Sequence, residues 1–90
     1  MTNNTQSTQP HMVWELVRLA GARSAIVICS VEQTMDEYEV NGRADALASL
    51  LPLVMIDSAN SGEWNEEGLI FTHEGRTYLV RCRRVEREVA

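Results

Sequence analysis

Hydrophobic and polar residues alternate on both sides of a polar bend in the C-terminal part of the chain, which is the pattern of a β-hairpin. The runs Leu69 to Thr72 and Thr77 to Cys82 are rich in β-branched and aromatic residues. If Glu74 and Gly75 are the central turn residues, Phe71 pairs with Tyr78 and each flanking residue pairs in step. This register predicts one face with Leu69, Phe71, Tyr78, Val80 and Cys82, and another with Ile70 and Leu79 framed by Thr72, Thr77 and Arg81. We therefore predict an antiparallel sheet that is apolar on both faces.

The N-terminal half shows two further patterns. Apolar residues at helical spacing predict a short helix from Pro10 to Ala20, after a polar tail over residues 1 to 9 that we expect to be disordered. Ser24 to Val31 is a continuous apolar run, which is typical of a central strand. Asp36 to Val40 alternates apolar residues with glutamates and predicts a half-exposed edge strand.

A long helix is predicted from Arg43 to Asn60, because apolar residues continue at helical spacing across this segment. Pro52 lacks a backbone donor, so the helix either kinks there, which we favour, or ends near Leu51 and is followed by a further strand. The segment carries two apolar stripes, and the sheet can cover only one. A second copy is the simplest cover for the other stripe, so we predict a homodimer with an interface formed by Ala46, Leu50 and Leu53.

Together these elements predict a single α+β domain over residues 10 to 90. It has a small antiparallel sheet, a short N-terminal helix and one long central helix, in the order α-β-β-α-β-β. A chain of 90 residues is near the lower end of the size at which one core suffices.

The charge balance narrows the choice of partner. The net charge of -5 makes nucleic acid an unlikely main partner, because phosphate binding needs a dense basic field. The C-terminal arginines alternate with glutamates and are interpreted as a solvated strand end. Neither a signal peptide nor an apolar run long enough to span a bilayer is found, so we expect a cytoplasmic protein with no membrane span.

No pattern in the sequence indicates catalysis. The chain has no Gly-rich phosphate loop, and without lysine it cannot form a Walker motif. His11, His73, Cys29 and Cys82 are not clustered at zinc spacing. We therefore expect no enzymatic activity, no cofactor and no metal site, and we interpret His73 as an exposed turn residue.

The stretches VWELVRLAGARSAIVICS, ADALASLLPLV and GLIFTHEGRTYLVRCR follow one another in an order that resembles the roadblock or dynein light-chain family, which is profilin-like. The resemblance implies a non-enzymatic homodimer or heterodimer that serves as a scaffold. Members of this family often dock small Ras-like GTPases or larger complexes. No catalytic residue carries over, because the family has no common catalytic motif.

An alternative function is that of a small acidic inhibitor from a phage or mobile element. Such a protein would block a nucleic-acid-binding enzyme by presenting carboxylates to its basic groove. The candidate partner-binding residues are Glu37, Glu39, Glu63, Trp64, Glu66 and Glu67.

Overall fold

The protein forms one antiparallel sheet with its helices on one face. The structure, a computed structural model, describes residues 7 to 89. Its elements are β1 (Ser7–Leu19), β2 (Ala25–Thr34), α1 (Met35–Leu50), a 3-10 turn (Leu53–Met55), α2 (Ile56–Asn60), β3 (Glu63–Asn65), β4 (Gly68–His73) and β5 (Arg76–Val89). The five strands lie in the order β2-β1-β5-β4-β3, so the prediction of a central strand over Ser24 to Val31 is wrong: Ala25 to Val31 belong to β2 at the edge of the sheet. None of the helices in residues 7 to 89 is long and apolar enough to cross a membrane.

The predicted N-terminal helix is wrong, since its residues belong to the central strand β1. β1 pairs with β2 on one side and with β5 on the other. Val13, Trp14, Leu16 and Val17 are all buried, so both faces of the strand are apolar and the period of two that marks a strand is hidden. Of the predicted disordered tail, residues 1 to 6 lie outside the described residues and Ser7 to Gln9 are part of β1.

The predicted edge strand from Asp36 to Val40 is also wrong, because these residues form the first turns of α1. Thr34 caps the helix: its side chain accepts from the Glu37 backbone amide at 3.2 Å, and its own amide donates to the Glu37 carboxylate at 2.8 Å. This reciprocal pair is a capping box, which satisfies backbone donors that the first turn leaves free.

The predicted long helix is replaced by shorter elements. α1 ends at Leu50, and its C-cap residue Leu51 has extended backbone angles. After Pro52 the chain forms a 3-10 turn and then α2, so the segment is neither a kinked helix nor a helix followed by a strand. The observed order therefore begins with two strands and has its helical region between β2 and β3, in place of α-β-β-α-β-β.

The predicted hairpin is confirmed residue by residue. Phe71 pairs with Tyr78, Leu69 with Val80 and His73 with Arg76 across a turn of Glu74 and Gly75. The Phe71 and Tyr78 rings stack with their centroids 5.4 Å apart. Both turn residues have positive φ, as a two-residue hairpin requires.

The main core lies between the sheet and the helices. It contains Trp14, Leu16, Ala46, Leu50, Leu51, Ala59, Leu69, Phe71, Tyr78 and Val80. Two residues of the stripe predicted to face a second copy, Ala46 and Leu50, therefore pack on the sheet of their own chain. The third, Leu53, lies in the 3-10 turn and is 86% exposed, whereas Leu50 is 3% exposed.

This difference predicts the effect of placing a carboxylate at each position. Leu50→Glu is expected to destabilise the fold by about 3 kcal/mol or more, because the charge would be buried without a partner. Leu53→Glu is the matched control and is expected to change stability by less than about 0.5 kcal/mol. Urea unfolding followed by circular dichroism measures both. A folded Leu50→Glu variant with stability near that of the wild type would contradict this core.

Candidate functional site

An apolar pocket of about 310 Å³ opens beside the C-terminal half of α1. We call it the Trp64 pocket. It is lined by Leu47, Ala48, Leu51, Ile56, Ala59, Asn60, Gly62, Trp64 and Leu69. Its walls come from α1, α2 and the β3–β4 hairpin, so the pocket exists only where these three elements meet.

Trp64 is the exposed aromatic wall of this pocket. It pairs with Leu69 across β3 and β4, which directs its ring to the helix-covered face. The Arg43 guanidinium carbon lies 4.1 Å from the ring centroid, within the range of a cation–π contact. Gly62 allows the chain just before β3 to approach β4 closely, because a Cβ atom at residue 62 would lie 2.5 Å from the Ile70 carbonyl oxygen.

The candidate partner-binding glutamates divide between two parts of the molecule. Glu37 is held in the capping box of α1, where the Thr34 backbone amide and hydroxyl lower the pKa of its carboxyl. Glu39 is exposed on the same helix. The remaining candidates Glu63, Glu66 and Glu67 are exposed on the β3–β4 hairpin together with Trp64. Glu66 and Glu67 lie in the turn that follows Trp64, whereas Glu63 precedes Trp64 in β3 and points to the opposite face of the sheet; α1 carries separate charges.

A charged cluster joins β1, β2 and β5. Arg87 contacts the Glu32 carboxylate through two nitrogens at 2.6 and 2.9 Å, and His11 Nδ1 lies 2.6 Å from the same carboxylate. These contacts, first that of Arg87 and then that of His11, lower the pKa of Glu32 to about 2. Arg81 similarly donates to Glu15 at 2.9 Å, directly across from it in the sheet. Arg81, Arg84 and Arg87 therefore pair with glutamates of their own sheet.

The side chains of Ser58, His73 and Glu74 form a chain of polar contacts. Ser58 Oγ lies 2.8 Å from His73 Nδ1, and His73 Nε2 lies 3.4 Å from Glu74 Oε2. Nucleophilic catalysis uses this kind of order, with a carboxylate that orients the imidazole. Here the Glu74 side chain is 76% exposed and belongs to the turn itself. An exposed carboxylate on a turn does not hold an imidazole rigidly, so we assign the contact to the attachment of the hairpin tip to α2.

His73 therefore differs from the expectation of an exposed turn residue. It does lie at the hairpin tip, but its side chain is only 15% exposed. Its partner Ser58 lies on α2, which the sequence pattern predicts only as the end of one long helix.

The cysteines are free thiols, and both are half-buried. Burial raises the pKa of the Cys29 and Cys82 thiols, which disfavours the reactive thiolate. Within residues 7 to 89, no group of three or more His, Cys, Asp or Glu side chains could hold a metal ion.

Comparisons with protein-family models, with curated proteins and with solved structures found no match. The function is therefore inferred from the geometry of the chain itself. Trp64 was identified from the sequence, whereas Arg43, Leu47 and Leu51 were not linked to a binding site.

The charged cluster predicts a pH-dependent contribution of Glu32 to stability. Its pKa in the folded protein is about 2, below the ordinary value of 4.5, so the contribution is present above pH 4.5 and is lost as the pH falls towards 2. Wild type should unfold at a higher urea concentration than Glu32→Gln at pH 7, and the difference should shrink at pH 2.5. Glu66→Gln, on an exposed turn, is the control. A difference between wild type and Glu32→Gln that is constant over this pH range would contradict the assignment.

The contact between Ser58 and His73 predicts energetic coupling between the two residues. In a double-mutant cycle of Ser58→Ala and His73→Ala, we expect a coupling energy of about 1 kcal/mol, the net value of one hydrogen bond. Urea unfolding of wild type, both single variants and the double variant measures it. Additive single effects would show that the hairpin tip is not attached to α2 through this pair.

Proposed function

We propose that the protein is a non-enzymatic interaction domain that binds an apolar side chain of a partner protein in the Trp64 pocket. The observation that carries this proposal is an open apolar pocket of about 310 Å³ with an exposed tryptophan in its wall. Small-molecule sites typically start at about 300 Å³. A pocket at this lower limit suits one large apolar side chain.

The composition of the wall supports this type of ligand. Leucine, isoleucine, alanine and tryptophan side chains provide most of the lining, and Asn60 is its polar exception. Tryptophan and arginine are enriched among the residues that dominate binding energy at protein interfaces. Arg43 and Trp64 stand together at this position, with one ring face covered by the guanidinium group.

The acidic residues near Trp64 indicate which residues flank the bound apolar side chain in the partner. Glu63, Glu66 and Glu67 lie on the hairpin that carries Trp64, and the whole chain has a net charge of -5. Complementary charges speed encounter and select the partner. The proposed ligand is therefore a protein segment with one large apolar residue next to arginine or lysine.

Two expectations about the partner stay predictions. The docking of a small GTPase or a larger complex came from the roadblock resemblance, and the observed element order is not the order on which that resemblance was based. The inhibitor alternative requires a joint acidic surface. It has less support, because Glu37 is engaged in the helix cap and is on a different element from Glu63, Glu66 and Glu67.

The test of this function is a peptide selection with a filled-pocket variant. Ala48 is exposed and lines the pocket, so Ala48→Trp is expected to occupy it. Displayed random peptides selected on the wild type should be enriched in a large apolar residue next to a basic one. Fluorescence anisotropy of the labelled peptides should show binding to Ala48→Trp that is weaker by about tenfold or more, or about 1.4 kcal/mol.

The matched control is Ser49→Trp, which places the same side chain on the next exposed position of α1, one that does not line the Trp64 pocket. It should bind the peptides as the wild type does. The proposal fails if no peptide is enriched, or if the enriched peptides bind Ala48→Trp and the wild type equally well.

A further inference from the structure

Over most of its length, β2 has apolar side chains and no charged residue that would protect its outer edge from pairing. β2 is the terminal strand of the sheet, and none of the other strands in residues 7 to 89 pairs with its outer edge. Ile26, Val27 and Ile28 are 43%, 46% and 51% exposed. From Ser24 to Val31 the sequence contains no charged residue. Such an edge is a ready template for pairing with another strand.

Apolar side chains stand on both faces of this edge. Ile26 lies opposite Arg18 and Val27 lies opposite Val17 in the β1 register, so the two side chains point to different faces. The register then shifts, which leaves Ile28 as the extra residue of a bulge. An added strand would therefore cover apolar surface on both faces of the sheet.

The opposite edge of the sheet is built differently. β3 has only three residues, Glu63 to Asn65, and one of them is charged. A short, charged strand is a common protection of a sheet edge. If β2 of one copy paired with β3 of the next, only the three residues of β3 would be available for pairing. A second β2 instead offers a strand of the same length.

Pairing of two β2 strands in antiparallel orientation brings no like charges together. Glu32 is the only charged residue of the strand, and it would face its own copy only if the two-fold axis passed through it. A two-fold axis midway between Ala25 and Val31 keeps the two copies of Glu32 apart. Glu32 is also already neutralised by Arg87 and His11.

The length of the strand is sufficient for a reversible contact. With this axis, residues Ala25 to Val31 of the two copies pair and exchange on the order of seven backbone hydrogen bonds, of which the bulge removes about two. A typical protein interface contains about ten direct hydrogen bonds.

We propose that the outer edge of β2 binds β2 of a second copy of this chain, which gives a closed two-fold dimer with a continuous ten-stranded sheet. The contact is isologous, so growth through the β2 edge stops at two copies. The Trp64 pocket takes no part, because β3 and β2 are opposite edges of the sheet.

The dimer is tested by light scattering over a dilution series of wild type and two lysine variants. Wild type is expected to be a dimer that dissociates on dilution. Val27→Lys places a charge in the shared strand and should raise the dissociation constant by about tenfold or more, while far-UV circular dichroism stays that of the wild type. Val40→Lys is the matched control: Val40 is 78% exposed on α1, and the variant should dimerise as the wild type does.

If Val27→Lys does not fold, hydrogen exchange of the wild-type protein tests the dimer instead. Backbone amides of residues 25 to 34 should exchange more slowly at high protein concentration, and those of β3 should not change. A monomer at every concentration, growth beyond a dimer, a dimer that persists in Val27→Lys, or exchange in β2 that is independent of concentration would each overturn the proposal.

Discussion

The buried side-chain amide of Gln33 fixes the position of α1 on the sheet. Its oxygen accepts a hydrogen bond from the Trp14 indole at 2.9 Å, and its nitrogen donates to the Gly42 carbonyl at 2.8 Å. α1 departs from helical geometry at Asn41, so Gln33 binds the helix next to its kink. A buried amide without partners would cost on the order of 1 to 3 kcal/mol, which makes this geometry strongly preferred over its alternatives. A side chain at Gly42 would meet the Tyr38 ring at 2.8 Å, so the close approach also requires glycine.

The position of α1 in turn determines the Trp64 pocket. Arg43 lies two residues after the kink at Asn41 and contacts Trp64 on β3. Leu47 and Leu51 continue from it along one wall, while α2 and the start of β3 complete the other. The Gln33 contacts therefore help to position one wall of the pocket, although no residue of β2 lines it.

The parts of the fold that sequence reasoning predicted are those set by neighbouring residues. The β4–β5 hairpin was predicted with its register, because the turn residues and the alternation lie within one short segment. β1 was misread because its neighbour β5 is distant in sequence, as the contact of Glu15 with Arg81 across 66 positions shows. The start of α1 could have been found, since Thr34 and Glu37 stand at the spacing of a capping box. Trp64 could be identified as exposed and aromatic, whereas the pocket needs α2 as an element separate from α1, which the prediction of one long helix does not contain.

The central place of β1 also determines the order in which the sheet can be completed. β1 pairs along its whole length with β5, the last described strand, and with β2 on its other side. During synthesis β1 and β2 are available long before β5 is made. Their hairpin therefore has two unpaired apolar edges at first, the outer edge of β2 and the edge of β1 that later pairs with β5. Contacts between segments this far apart form slowly, because a long loop must close first. The strand that is most buried in the finished protein is thus the one whose second edge stays unpaired longest during folding.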